Sequence, residues 1–136
     1  MTAARGSVRA EVRVACSPEE VWAVVGDPGR LPEWFPGITG CTVDGDERVV
    51  TTGAGIPLPE RLLTVDGLQR RFQYRITAPL VREHLSTIDV IDLGDGTSMV
   101  VYGVDADPAV LALVIGGAAG DALEQLRALL EDGATR

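Results

Sequence analysis

The chain has 136 residues, which fits a single domain over 1–136 with its core at about 7–131, and folding at this size buries on the order of two-thirds of the unfolded surface. Its formal charge of −8 excludes a broad phosphate-binding surface, because nucleic-acid affinity rests on clustered cations that release counterions. All 12 basic residues are arginine and no asparagine occurs, so lysine Schiff-base chemistry and Asn-x-Ser/Thr glycosylation are both excluded.

The opening MTAARGSVRA lacks the apolar core of a secretory signal, which predicts a cytoplasmic protein with Cys16 and Cys41 as thiols. Ser7 to Ala15 alternates, with Val8, Ala10, Val12 and Val14 on one side and Arg9, Glu11 and Arg13 on the other, as in a half-buried strand. A helix follows, with Ser17 at the N-cap, Pro18 in the first turn and Glu20 closing a capping box. Gly26-Asp27-Pro28-Gly29 stops it, and Arg30 to Phe35 allows one or two further turns before Pro36-Gly37.

From Ile38 the chain becomes a succession of strand-like runs at 38–45, 48–53, 60–65, 71–78, 84–93 and 97–106. Turn signals such as Asp44-Gly45-Asp46, Asp66-Gly67 and Gly94-Asp95-Gly96 separate them, which implies an antiparallel meander. Asp107 is placed as the N-cap of a last helix that opens at Pro108 and runs over 109–131. In its second half Ala119, Ala122, Leu123, Leu126 and Leu130 face inward. Its first half, AVLALVIGGAAG, is apolar all round but at about a dozen residues falls short of a bilayer span, so no membrane span is expected. Gly116 and Gly120 either allow close approach of the helix to the sheet or leave room for a ligand, and room for a ligand is the preferred reading. The expected class is α+β, a seven-stranded curved antiparallel sheet wrapped around a long C-terminal helix, with two short helices between strands 1 and 2.

Three stretches, SPEEVWAVVGDPGRLPEWFPGI, PERLLTVDGLQRRFQYRITAPL and GDGTSMVVYGVDADP, resemble in order and spacing the START-type helix-grip superfamily. The likeness is to its polyketide cyclase/dehydrase branch and spans roughly residues 7–131. The resemblance implies a cavity between sheet and long helix, roofed by the short helices, that holds an apolar small molecule. Under that expectation Leu31, Trp34, Phe35, Phe72, Tyr74, Arg75, Val100, Tyr102, Leu111, Ile115, Ala118 and Ala119 are the ligand-binding candidates.

Glu60 and His84 are the catalytic candidates, the first because a carboxyl facing an apolar cavity has a raised pKa, the second because imidazole titrates near neutrality. For Glu60 the competing reading is a solvent-facing strand end paired with Arg61 or Arg75; for His84 it is plain exposure at a strand start. One His and two distant Cys give no metal-ligand spacing, and no cofactor motif is present, so neither metal nor cofactor is expected. Trp22 is placed in the core, anchoring the bend of the helix pair, and for Trp34 the competing reading is a plug at the end of the core. The strand at 84–93 presents two mixed sets, His84/Ser86/Ile88/Val90 and Leu85/Thr87/Asp89/Ile91, and periodicity leaves its inward face open.

Three functions fit these residues: binding of a small hydrophobic or amphipathic molecule, a cyclase/dehydratase-type lyase or isomerase without cofactor, or an interaction module. The expected partner is a small hydrophobic ligand rather than nucleic acid, with the chain a monomer or homodimer.

Overall fold

The computed structural model describes residues 5–134; the outermost parts of the expected domain, and of the opening segment read for a leader, lie outside them. Seven strands, β1 (Gly6–Val14), β2 (Ile38–Asp44), β3 (Glu47–Thr52), β4 (Pro57–Asp66), β5 (Arg71–Ile76), β6 (Glu83–Asp92) and β7 (Ser98–Asp107), form one antiparallel sheet in the order β1-β7-β6-β5-β4-β3-β2. Every neighbouring pair except β1 and β7 is consecutive in sequence, as turn signals spaced along a meander dictate. Register shifts between Ile38 and Gly40 and between Leu62 and Thr64 bend the sheet.

β1 and β2 are the two edges, so the segment joining them crosses the whole sheet. It does so as α1 (Pro18–Val25), a 3-10 turn (Pro28–Arg30) and α2 (Leu31–Trp34). Ser17 caps α1 as its sequence requires, its Oγ accepting the Glu20 N–H at 3.2 Å and donating to Glu20 Oε1 at 3.1 Å. Trp22 anchors the bend: it is half-buried, and a Cβ on Gly26 would fall 2.4 Å from its ring. Cys16 and Cys41 are both unpaired thiols.

The last helix, α3 (Ala109–Ala134), rests on β1 and β7. Ala119, Ala122, Leu123 and Leu126 are fully buried there, on the inward side that the second-half periodicity sets. Asp107 is not its cap but the last residue of β7, and its Oδ1 accepts from Arg82 Nη2 at 2.6 Å. Nor does Gly116 leave room for a ligand. A Cβ there would lie 2.2 Å from Val8 Cγ2, so this glycine exists to let helix and strand touch.

The apolar part of α3 extends beyond its first half, since an 18-residue stretch within Ala109–Gly133 has a mean hydropathy of 1.4 and passes for a span by length and composition. In this fold its inward side is taken up by the sheet, while Val110, Leu113 and Val114 are exposed.

On β7 the buried set is Ser98, Val100, Tyr102, Val104 and Ala106, as alternation requires; on β6 it is His84, Ser86, Ile88 and Val90, which settles the face that periodicity leaves open.

Close approach at the helix start makes a direct test. A Cβ on Gly6 would meet the Ala109 carbonyl oxygen at 2.8 Å and Ala112 Cβ at 3.0 Å, neither of which can swing aside, whereas Gly117 has nothing within 4 Å. Gly6→Val is expected to lower unfolding free energy by about 1–3 kcal/mol. Gly117→Ala is expected to raise it by roughly 0.5–1 kcal/mol. Urea denaturation of both variants checks the pair of signs.

Candidate functional site

Because α3 sits over β1 and β7, the sheet's other half is left to curve away beneath α2. Between them lies a pocket of about 310 Å³. Its walls come from four places: Leu31 and Phe35 at α2; Ile38, Val50 and Thr52 on β2 and β3; Leu58, Glu60, Tyr74 and Ile76 on β4 and β5; and Val114, Ile115 and Ala118 on α3. All but three of these side chains are hydrocarbon or plain aromatic, as a site for an apolar body requires.

Glu60 is the charged residue of the wall. It lies directly opposite Arg48 in the β3–β4 register, and Arg48 Nε and Nη2 both donate to its Oε1, at 2.9 and 2.6 Å. The side chains of Arg48 and Glu60 are 2% and 6% exposed, so this is a buried ion pair. Arg48 Nη1 donates to the Pro28 carbonyl at 3.2 Å, and its guanidinium lies 5.3 Å from the Phe72 ring centroid and 4.9 Å from that of Tyr74. Burial pushes the Glu60 carboxyl above its ordinary pKa, and Arg48 opposes the rise. Glu60 is therefore not a solvent-facing strand end, and its partner is Arg48 rather than Arg61 or Arg75.

Behind the wall a second polar chain runs through the core. The Tyr74 and Tyr102 hydroxyls are hydrogen-bonded to each other, and burial drives both phenols upward, Tyr74 to about 12. His84 Nδ1 accepts the Ile76 N–H at 2.9 Å, so the ring proton sits on Nε2, which faces Ser86 Oγ at 2.8 Å. His84 is 2% exposed, and desolvation lowers its pKa to about 4, with Asp105 pulling weakly the other way.

The expected ligand-binding residues divide accordingly. Leu31, Phe35, Tyr74, Ile115 and Ala118 stand on the pocket wall together with Glu60. Trp34 does not: it is 2% exposed and packs on Tyr102 with ring centroids 6.3 Å apart, plugging the core beneath α2. Phe72, Val100, Tyr102 and Ala119 are likewise core, held off the wall by neighbours that cover them.

Leu111 is half-buried one turn before Ile115 and does not line the pocket. Arg75 is exposed, because alternation on β5 turns it away from Tyr74 and Ile76. His84 is not exposed at a strand start, yet it also does not reach the wall; with Arg75 it borders a separate groove near the β5–β6 connection. Glu60 and His84 thus do not meet in one site. Among the described residues, no group of three or more His, Cys, Asp or Glu is placed to hold a metal ion.

Sequence reasoning passes over Arg48, Val50, Ile38, Thr52, Leu58, Ile76 and Val114. A signal for the first exists: Arg48 shares its strand face with Val50, and a cation on a buried face calls for a carboxylate on the neighbouring strand.

A curved antiparallel sheet gripping a C-terminal helix, with short helices bridging its edges above an apolar pocket, defines a helix-grip domain of the START type. The profile of the family described as "Polyketide cyclase / dehydrase and lipid transport" matches residues 5–131, and the chain belongs to that family. Among solved structures it is similar to the protein XoxI from Bacillus cereus, at 26% identity, covering 93% of this chain and 96% of that one with a TM-score of 0.87. It is also similar in fold to a point mutant of norcoclaurine synthase from Thalictrum flavum in complex with a transition-state analogue, at 18% identity, 98% and 99% coverage and a TM-score of 0.76. A START superfamily protein from Mycobacterium smegmatis shares 17% identity over 93% and 97% of the two chains, with a TM-score of 0.72. No curated protein sequence matches.

Two stability measurements follow from this polar interior. Glu60→Leu leaves Arg48 as a stranded buried cation and is expected to cost about 3–5 kcal/mol, whereas the double variant Arg48→Met/Glu60→Leu regains most of that loss, as urea denaturation will show. For His84, a folded pKa near 4 against an ordinary 6.5 means that the unfolded chain takes up the proton first. Its stabilising share is complete above pH 6.5 and is lost as pH falls toward 4, by about 3 kcal/mol at most. Unfolding free energies of the native protein and His84→Gln, measured from about pH 7 down to about pH 4, are expected to show a shallower acid slope in the variant.

Proposed function

We propose that the protein binds a small hydrophobic or amphipathic molecule in the pocket between α2, the β2–β5 half of the sheet and the first half of α3. The single observation that carries this reading is the pocket itself: about 310 Å³ bounded by mainly apolar side chains from four parts of the fold. Elsewhere in the molecule the core is closed by Val, Leu and aromatic side chains, and burial of apolar surface is what a well-packed chain would gain by filling the space. Membership of a family described by cyclase, dehydrase and lipid-transport activities supports an apolar cargo.

Binding is favoured over cyclase/dehydratase chemistry because the two groups expected to move protons lie apart, with both ring nitrogens of His84 already engaged. The unpaired Cys16 and Cys41 support a cytoplasmic setting.

Filling the pocket tests the reading. The neutral fluorophore N-phenyl-1-naphthylamine is expected to bind the native protein with a blue-shifted emission. Ala118→Phe, which places a ring in the space while α3 keeps its seat on the sheet, is expected to weaken binding by about tenfold or more, the equivalent of roughly 1.4 kcal/mol. Absence of binding to the native protein, or equal binding to a folded Ala118→Phe variant, overturns the proposal.

A further inference from the structure

The pocket wall carries three polar side chains, and two of them already bond within the protein, although Thr52 keeps its own hydroxyl proton. The Tyr74 hydroxyl is bonded to Tyr102, and Thr52 Oγ1 accepts the Ile56 N–H at 3.2 Å. Glu60 differs. Arg48 Nε and Nη2 both donate to its Oε1, while Oε2 accepts no hydrogen bond from the described residues, on a residue only 7% exposed. No fully enclosed side-chain oxygen of the described residues lacks a partner, so Oε2 is not sealed among packed atoms; Glu60 borders both the apolar pocket and a groove beside Glu47, Pro59 and Arg61. A carboxylate oxygen has lone pairs but no proton to give, and covering it with an apolar body that offers no donor is costly. Arg48 favours the carboxylate through two charge-assisted bonds, against the rise that burial imposes, and it is itself too deeply buried to stand alone as a cation.

We infer that the pocket selects apolar molecules bearing a hydrogen-bond donor, an amine or a hydroxyl, which Glu60 Oε2 receives. This rests on the binding function proposed above and adds a polarity to it. A ligand whose polar end is a carboxylate brings lone pairs against lone pairs, and it does so inside a chain whose formal charge is −8. An aliphatic or aryl body with an amine or hydroxyl meets the apolar wall with one part and the free oxygen with the other. The Arg48–Glu60 pair therefore serves recognition: the arginine fixes one oxygen so that the second is presented in a constant place.

Isothermal titration of the native protein with four probes of one shape tests this: n-butylbenzene, 4-butylphenol, 4-butylbenzylamine and 4-butylbenzoate. The phenol and the benzylamine are expected to bind about tenfold tighter than butylbenzene, and the benzoate about tenfold weaker, as befits a hydrogen bond to a charged acceptor. In Arg48→Met/Glu60→Leu, which strands neither charge and removes the uncovered oxygen, butylbenzene is expected to bind more tightly than to the native protein and the donor preference to vanish. Equal affinities across the native series, a preference for the benzoate, or a donor preference that survives in the double variant each overturns the inference and leaves the apolar pocket standing. Failure of all four probes to bind overturns both. Should the double variant not fold, the native series alone upholds or overturns the inference.

Discussion

The arrangement of this molecule depends on how closely α3 can lie on β1. Gly6, Val8 and Ala10 of the strand face Ala109, Ala112, Gly116 and Gly120 of the helix, and at Gly116 there is no space even for a methyl group before Val8 is met. Small residues on both surfaces draw the helix axis toward one edge of the sheet. A sheet that curves over seven strands cannot then keep contact with the same helix at its other edge. The gap between helix and far strands is a geometric consequence of tight packing on the near ones, and α2 is the element positioned to cover it. Pocket and close-packed seam are two results of one constraint.

Within the space so defined, the enclosed polar groups are paired throughout. Arg48 is bonded by Glu60 and the Pro28 carbonyl and covered by two aromatic faces, the tyrosine hydroxyls satisfy each other, and His84 divides its nitrogens between a backbone N–H and Ser86. No fully enclosed side-chain nitrogen or oxygen of the described residues is left without a partner. Pairs of this kind add little net stability over an apolar filling, but each removes alternative packings, since a slipped register would strand a charge or a ring nitrogen. The direct opposition of Arg48 and Glu60 across β3 and β4 pins that register particularly firmly. The tether from Arg48 to Pro28 ties the segment entering α2 to the same strand.

The sequence makes most of this architecture legible, and the exceptions have physical causes. Alternation is clean on β1 because its inward residues are apolar or small and its outward ones polar, and the capping pattern at Ser17 is local enough to be read directly. β6 resists the same reading because two of its inward residues, His84 and Ser86, are polar; only their bonds to Ile76 and to each other make that burial tolerable, and those partners come from β5 and from the fold. Arg48 is hidden for a related reason, since its partner lies twelve residues away and its aromatic cover further still. The pocket's far wall escapes notice because Ile38, Leu58 and Val114 look like any surface or core aliphatics until helix and sheet are placed. Conversely, aromatic residues draw attention as ligand contacts, whereas Trp34, Phe72 and Tyr102 are large enough that the core claims them first.

The division of labour between apolar wall and buried ion pair also explains why family membership leaves the chemistry of an individual member open. The grip of sheet on helix fixes where a pocket forms, through a seam of small residues remote from any ligand. What the pocket asks of its occupant is written instead in the few wall positions where a polar atom is left over after the protein has satisfied its own. Here the pairing of hydrogen bonds leaves Glu60 Oε2 in that position, while Tyr74, which stands on the same wall, has committed its hydroxyl to Tyr102. Function on this scaffold therefore varies with the pairing of buried polar groups more readily than with its shape.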